Sequence, residues 1–241
     1  MKAADVAIEL RNVTKNYGGL RPLRIAHFAL RENETAALVG FDRAAAEVLV
    51  NLITAATLPD SGDVEVFGSP TRLVTDSDAW FRSLDQFGIV SERVPLLDEL
   101  SVEQNLALPL SFEVDNLPAD VRSQVRQIAG EMGISATELE RSLATADADT
   151  RTRVRIGKAL VLTPRILLAE HPNAAVPSGE VARLGKDLAA VAASRRLAML
   201  VLTTDTGFAA AVCNRVLSLR PATGELSPAS SWTRWFMRQV R

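Results

Sequence analysis

The chain has 241 residues, 47% of them hydrophobic, which suffices for one large domain or two small ones around a packed core. A formal net charge of −2 gives no electrostatic support for nucleic-acid binding, which usually requires a clearly basic face. The single cysteine, Cys213, excludes an intrachain disulfide and a zinc site built from cysteines. No stretch approaches the ~20 apolar residues of a membrane span, so we expect any link to a membrane to run through a partner.

The N-terminal half of the chain predicts strands first and a strand–helix unit after them. In chain order, apolar periodicity and turn residues predict a strand at 6–13, a turn at Tyr17-Gly18-Gly19, a strand at 23–30, a buried strand at 35–39, a helix at 43–55, a turn at 59–62, a strand at 63–67, a helix at 76–85 and a strand at 87–90. The alternating strands indicate an antiparallel layer, and the buried strand that feeds a helix indicates the core of an α/β fold.

The C-terminal half predicts a helical region and then two further buried strands. Helical periodicity extends over 102–143, with breaks at Leu117-Pro118, Gly130 and Gly133, and it is followed by a helix at 150–162, a strand at 165–170, a helix at 180–194 and a strand at 198–203. The last residues form a tail of different composition, with Trp232, Trp235, Phe236 and Met237 among arginines. Such a tail lies at a membrane interface or against a partner helix, or it packs back on the domain or stays mobile.

Residues 36–53, AALVGFDRAAAEVLVNLI, have the frame of a phosphate-binding loop without its phosphate-binding residues. A working loop reads G-x-x-x-x-G-K-[ST], with glycines for backbone approach, a lysine for the β- and γ-phosphates and a hydroxyl for Mg²⁺. Counting from Gly40, Ala45 replaces the second glycine, Ala46 the lysine and Glu47 the hydroxyl residue. We call residues 40–47 the vestigial phosphate loop, because the architecture of a nucleotide site remains without its chemistry.

The helix after this loop is predicted to supply its own anion. Asp42 is a good N-cap, and Arg43 with the three alanines that follow favours a plain helix. The carboxylates of Asp42 and Glu47 are expected in the first turn, where the helix dipole favours negative charge. A carboxylate ~6 Å from a phosphate charge repels it by roughly 3 kcal/mol at an effective dielectric near 20, and this repulsion opposes ATP binding.

The order of these segments resembles the ATP-binding subunits of ABC transporters, nearest the branch containing lipoprotein-release, macrolide-efflux and cell-division complexes. The resemblance is carried by the loop frame, then PDSGDVEVFG, LLDELSVEQNLALPL, a helical insert, ALVLTPRILLAEHP and VLTTD, over residues 6 to about 220. It implies an ABC-type P-loop ATPase fold with an antiparallel β layer, a RecA-like core and a helical insert at about 92–158. We expect a single domain over 1–225 and a separate aromatic and basic tail over 226–241.

The resemblance also implies site positions, and most of them hold residues of the wrong chemistry. Tyr17 takes the place of the aromatic residue that stacks on adenine, and Gly40 is the first glycine of the loop. The other positions are a glutamine that senses Mg²⁺ and the permease, replaced by Glu92; the LSGGQ signature, replaced by Ala146, Asp147, Ala148, Asp149 and Thr150; the magnesium-binding aspartate, replaced by Glu170; the catalytic glutamate, replaced by His171; an aspartate of the next loop, replaced by Pro177; and the switch histidine, replaced by Thr204.

Glu170 and His171 suggest a residual catalytic pair. A glutamate can bind Mg²⁺ and a histidine can act as a base, but general-base catalysis presupposes a positioned phosphate. We therefore expect no functional catalytic residue, no metal site and no cofactor. ATP and Mg²⁺ are expected only if the chain is a divergent, active ATPase.

The signature-like segment and the helix after it leave alternatives open. Asp147 and Asp149 are either helix caps or acids that would repel a partner's γ-phosphate, and we favour caps. Arg151, Arg155 and Lys158, at positions i, i+4 and i+7, form either a solvated face or an anion site, and we favour the solvated face.

The predicted function is that of a catalytically degenerate ATP-binding-type subunit rather than an enzyme. It would pair with an intact ATP-binding subunit, dock on an ABC permease and lie peripherally at the cytoplasmic face of the cell membrane as part of a hetero-oligomer, with no nucleic-acid partner. Docking is expected through Val94, Leu96, Leu97 and Leu100, although these residues could instead pack the insert against the core. The alternatives are a divergent but active ATP-hydrolysing subunit and a soluble pseudo-ATPase scaffold or regulator.

Overall fold

Two β-sheets organise the computed structural model, which describes residues 5–229. The antiparallel sheet contains β1 (Val6–Lys15), β2 (Leu23–Arg31), β4 (Ser61–Val66) and β5 (Ser69–Pro70). The second sheet contains β3 (Thr35–Val39), β6 (Phe87–Val90), β7 (Ile166–Glu170), β8 (Ala198–Thr203), β9 (Arg215–Arg220) and β10 (Glu225–Pro228). Its order is β10-β9-β3-β8-β7-β6, parallel throughout except that β10 runs antiparallel to β9.

The helices cover both faces of the second sheet. They are α1 (Arg43–Ile53), α2 (Ser77–Leu84), α3 (Val102–Ala107), α4 (Ala119–Glu131), α5 (Ala136–Leu139), α6 (Ala148–Leu160), α7 (Ser178–Arg195) and α8 (Thr206–Val212). Helices α3 to α6 form the helical insert between β6 and β7. The expected fold, with an antiparallel layer, a parallel core and a helical insert, is confirmed.

The second sheet is buried on both faces, as parallel sheets require. In β3, Ala36 and Leu38 face a core shared with α1 and the antiparallel layer. Ala37 and Val39 face a second core, shared with α7, α8 and the insert. The sheet is therefore the middle layer of the domain, and the carboxyl ends of its parallel strands meet at one edge.

Several predicted boundaries differ from the structure. Gly130 does not break a helix, because α4 continues to Glu131 and the chain turns at Gly133, whose φ is +67°. Residues 108–118 are not helical, although the sequence predicted one interrupted helical region there. Helix α8 and strands β9 and β10 were not predicted, and β10 continues past residue 225, where we expected the tail to begin. The tail aromatics lie outside the described residues.

Candidate functional site

The vestigial phosphate loop is the start of an ordinary capped helix. Gly40 has a φ of +94°, which lets the chain turn from β3 into α1. Asp42 is the N-cap, as predicted, and its Oδ1 accepts a hydrogen bond from the Ala45 N–H at 2.8 Å. Ala45 and Ala46 are 8% and 0% exposed and pack into the core beneath the antiparallel layer. The cap and the alanines therefore occupy the places where a phosphate loop presents free N–H groups.

Glu47 does not lie in the first turn, contrary to the prediction. Helix α1 begins at Arg43 and has no acidic residue in its first turn, which places Glu47 in the second. Asp42 alone therefore places a carboxylate at the helix start. The Glu47 side chain instead pairs with Arg93, whose Nη1 lies 3.2 Å from Glu47 Oε1.

The Arg93 guanidinium lies between two carboxylates at the edge of the sheet. Its Nη2 donates to Glu170 Oε1 at 2.5 Å, while its Nη1 reaches Glu47. Glu170 ends β7 and is 8% exposed, and its other oxygen accepts a hydrogen bond from Ser91 Oγ at 2.8 Å. The parallel strands β6 and β7 end side by side, which is why Ser91 and Glu170 meet there. One arginine thus bridges α1 and β7.

A second ion pair lies next to the first. Arg43 Nη1 is 2.6 Å from Glu92 Oε2, and both side chains are exposed. Arg43 therefore points towards the segment after β6. Both ion pairs border one pocket of about 160 Å³, lined by Arg43, Glu47, Ser91, Glu92, Arg93, Glu170 and His171. The structure brings together Glu47, Glu92, Glu170 and His171, and it adds Ser91 and Arg93.

A larger pocket lies on the other side of the helix start. It has a volume of about 510 Å³, and Tyr17, Gly40 and Asp42 are among the residues that line it. Burial raises the pKa of Tyr17, and the nearby Asp42 carboxylate raises it further. Tyr17 thus faces the same helix start as Asp42, with a negative charge as its neighbour.

His171 occupies a strained position directly after β7. Its φ is +44°, its N–H donates to the Leu202 carbonyl at 2.8 Å, and its Nε2 is buried without a partner within the described residues. Arg155 Nε is also buried without a partner there, and both residues line a cavity of about 10 Å³. A space of that size is close to the minimum for one water molecule.

Two further positions implied by the resemblance lie near the ends of α7 and β8. Pro177 directly precedes α7, and Thr204 is exposed after β8.

The signature-like segment contains one cap and one buried ion-paired acid. Asp147 is the N-cap of α6, and the hydrogen bond from the Thr150 N–H, 2.7 Å long, lowers the pKa of its carboxyl. Asp149 is not a cap, contrary to the prediction. It is buried in the first turn, where its Oδ2 accepts from Arg153 at 2.7 Å and from Arg183 at 2.9 Å. Asp147 therefore exposes an ionised carboxylate to solvent, whereas two arginines offset the charge of the buried Asp149.

The basic stripe on α6 is not a freely solvated face. Arg151 Nη1 pairs with Asp98 Oδ1 at 2.7 Å, and Lys158 Nζ donates to the Pro95 carbonyl at 2.9 Å. Arg155 is half-buried, and burial lowers its pKa. The stripe ties α6 to the segment that precedes α3, so the expectation of solvated side chains is wrong here.

The predicted docking segment, Val94 to Leu100, has a defined backbone. The buried Asn105 side chain accepts from the Leu97 N–H and donates to the Leu97 carbonyl, each at 2.9 Å. Its apolar residues are half-buried, and Leu96 packs against the core on the insert side. Leu96 therefore contributes to packing, and Leu96, Leu97 and Leu100 all leave part of their surface accessible.

None of the helices within residues 5–229 is long and apolar enough to cross a membrane. Over the same range, no group of three or more His, Cys, Asp or Glu side chains is arranged to hold a metal ion.

Comparison with known proteins identifies the family. The profile described as "ABC transporter" matches residues 23–174. The chain is 28% identical over 223 residues to the ABC transporter ATP-binding protein YxdL of Bacillus subtilis, covering 91% of this chain and 84% of YxdL. It is 27% identical over 186 residues to the ribose import ATP-binding protein RbsA of Ruegeria, covering 76% of this chain but only 35% of that protein.

Solved structures agree with this at the level of the fold. The dimeric ABC transporter cassette MJ0796 superposes with a TM-score of 0.75 at 21% identity, covering 93% of this chain and all of that one. CbiO1 of Clostridium perfringens, part of the transporter complex cbiONQ, superposes with a TM-score of 0.80 at 19% identity, covering 98% of this chain and 92% of that one. The profile match spans more than half of the sequence, and the chain therefore belongs to the ABC transporter family, with the fold of its ATP-binding cassettes.

Proposed function

We propose that this chain is a catalytically degenerate ATP-binding-type subunit of an ABC transporter. It pairs with an intact ATP-binding subunit, docks on a membrane permease and lies peripherally at the cytoplasmic face of the membrane. The observation that carries the proposal is the Arg93 guanidinium held between Glu47 and Glu170. The chain's own ion pairs occupy the place where a phosphate-binding site would need a hydroxyl and a metal.

The residues at the helix start do not fit ATP with Mg²⁺. A phosphate loop binds its anion through convergent backbone N–H groups and a lysine. Here the Ala45 N–H already donates to Asp42, and Ala46 carries no charge. Glu47 adds a carboxylate where a hydroxyl would meet the metal. A triphosphate at this helix would therefore meet the Asp42 carboxylate, and repulsion of this kind amounts to roughly 3 kcal/mol at ~6 Å.

The signature-like segment is equally unsuited to a partner's nucleotide. In a head-to-tail dimer of cassettes, this segment would face the phosphates bound by the other subunit. Asp147 is exposed there, with a lowered pKa that keeps its carboxyl ionised. Asp149 contributes little repulsion, because Arg153 and Arg183 neutralise it. The vestigial phosphate loop and the signature-like segment are thus both unsuited to a dimer in which two ATP molecules lie between the cassettes.

Docking on a permease is supported by the one segment whose family pattern is intact. The docking segment keeps a fixed backbone through Asn105 and leaves Leu97 and Leu100 half-exposed. An apolar groove that accepts an amphipathic helix is a general mode of recognition. Affinity purification of the tagged chain from its own membranes should recover a permease and an intact ATP-binding subunit. Recovery of the chain alone would leave the scaffold alternative as the better description.

A thermal-shift titration with ATP and Mg²⁺ tests the degenerate site. A ligand at 100 times its Kd stabilises the native state by about 2.7 kcal/mol, which is easily detected. We expect the unfolding temperature to stay constant up to millimolar ATP. A saturable increase would overturn the proposal and favour a divergent ATPase.

One observation favours that second candidate. The pocket beside Tyr17 has a volume of about 510 Å³, within the roughly 300–1,000 Å³ range typical of small-molecule sites. A divergent ATPase would bind ATP through this pocket and require the phosphates for affinity. Comparing adenosine with ATP distinguishes the two, because binding of adenosine alone would show a base pocket without a phosphate site.

A further inference from the structure

One arginine, Arg93, contacts the carboxylates of both Glu47 and Glu170. Arg93 Nη1 is 3.2 Å from Glu47 Oε1, and its Nη2 is 2.5 Å from Glu170 Oε1. The same Glu170 carboxylate accepts from Ser91 Oγ through its second oxygen. Arg43, the other arginine lining this pocket, pairs instead with Glu92. The two acids therefore converge on a single positive group, and the Ser91 hydroxyl supports one of them, Glu170.

The burial of Glu170 explains why a cation is needed there. A carboxylate that is 8% exposed requires a partner, because an unpaired buried charge is strongly unfavourable. A planar guanidinium can serve two carboxylates at once through its fork of donors. Hard divalent cations such as Mg²⁺ are also held by one or two carboxylates, together with several waters and, in nucleotide sites, substrate phosphates. The carboxylates of Glu47 and Glu170 thus form an environment suited to a single cationic group.

We propose that Arg93 is a built-in cation that takes the place of a divalent metal between Glu47 and Glu170. This inference rests on the proposed function, because it explains how a cassette without nucleotide offsets one of the two negative charges that Glu47 and Glu170 place at this edge of its sheet. The observation that supports a cation between Glu47 and Glu170 is that the guanidinium contacts both carboxylates. Since Arg93 directly precedes the docking segment, the same contacts hold the start of that segment against the core without any ligand.

The position of Arg93 in the chain supports the second part of this inference. The Val94 N–H donates to the Ser91 carbonyl at 3.1 Å, and the Arg93 N–H donates to Ser91 Oγ at 3.2 Å. The turn around Arg93 is therefore closed by its own backbone, and the side chain extends from it to α1 and β7. We expect removal of the guanidinium to leave this turn intact and to leave both carboxylates without a cationic partner.

The test is divalent-cation binding by the full-length Arg93→Ala variant, with Mn²⁺ as the probe. Electron paramagnetic resonance counts the free Mn²⁺ in each mixture. We expect one weakly bound Mn²⁺ per chain, with a Kd on the order of 10⁻³ M, the weak end of the range for oxygen-ligand sites in proteins. The unchanged chain should bind at least about tenfold more weakly, a difference of ~1.4 kcal/mol. Mn²⁺ should also raise the unfolding temperature of the variant and not that of the unchanged chain.

Matched variants separate this role from a general loss of charge. Arg43→Ala removes the same charge from the same pocket but breaks a different pair, and it should not gain Mn²⁺ binding. Arg93→Lys keeps a cation in place and should also bind no Mn²⁺. Arg93→Ala combined with Glu47→Gln should lose the gained site. Equal Mn²⁺ binding by Arg93→Ala, Arg43→Ala and the unchanged chain would overturn the inference.

The two proposals fail in different ways. If the unchanged chain binds ATP with Mg²⁺, the degenerate-subunit proposal is wrong. If it does not, and a folded Arg93→Ala variant gains no Mn²⁺ site, only the built-in cation is wrong. Should Arg93→Ala fail to fold, Arg93→Gln, which retains a polar side chain without the charge, takes its place in the same titration.

Discussion

Replacing Ala46 with lysine, the residue a working phosphate loop would have, should damage the fold. Ala46 is 0% exposed and packs in the core between α1 and the antiparallel layer. Overpacking a core costs about 1–3 kcal/mol. A buried lysine also has its pKa lowered by up to 3–5 units, and each unit corresponds to ~1.36 kcal/mol. We therefore expect Ala46→Lys to lower the free energy of unfolding by at least about 3 kcal/mol.

Ala44→Lys is the matched control for this substitution. Ala44 lies two residues earlier in the same helix and is exposed, so the same chemical change should alter stability by no more than about 0.5 kcal/mol. Urea unfolding followed by circular dichroism gives both values. The difference between the two variants measures burial at position 46 and cancels helix propensity, which is the same for both.

Equal stability of the two variants would refute the reasoning. A lysine at position 46 would then reach a polar pocket at no cost, and the loop would retain the plasticity of a phosphate site. A few substitutions could in that case restore phosphate binding to the vestigial phosphate loop. A large difference between the variants would mean that the loop has become part of the hydrophobic core.

The remaining predictions concern capping, catalysis, docking and thiol reactivity. Asp147→Ala should lower the free energy of unfolding by about 1 kcal/mol at pH 7. Because folding lowers the pKa of this carboxyl from 3.8, urea titrations at a series of pH values should show this difference shrinking below pH 3.8 and vanishing once the folded-state carboxyl is protonated. Ala46→Lys combined with Glu47→Ser, in samples that circular dichroism shows to be folded, should release no phosphate above a no-enzyme control, because catalytic groups act as units; measurable release would contradict this. Leu97→Asp should abolish co-purification with a permease while circular dichroism stays unchanged, and undiminished recovery would argue against docking there. Burial raises the pKa of Cys213 from 9.0 to about 12, so alkylation at pH 8 should be about a thousandfold slower in the native chain than in urea.

Local sequence chemistry predicted much of the fold. Strands β3 and β8 have the predicted bounds, because they are continuous apolar runs between polar turns. The Asp42 cap was also predictable, since an aspartate before an alanine-rich run favours a helix start. By contrast, α8 has only seven residues, and most of β9 is half-buried, so neither gives a strong periodic signal.

The ion pairs of the site could not be predicted from local patterns. Arg93 is separated from Glu47 by 46 residues and from Glu170 by 77, and only the parallel order of β6 and β7 beside α1 brings them together. The segment IVSERV did carry a hint, since three polar residues follow a buried strand where a ligand-sensing residue was expected. Their mutual pairing depends on tertiary structure, and so does the burial of Asp149 by arginines of α6 and α7.

Equilibrium dialysis of the purified full-length chain against labelled ATP with Mg²⁺ tests the central claim most directly. We expect equal concentrations of labelled ATP on both sides of the dialysis membrane at millimolar ATP, because Asp42 caps the helix start and Arg93 fills the cation position. One ATP bound per chain with a submillimolar Kd would contradict it.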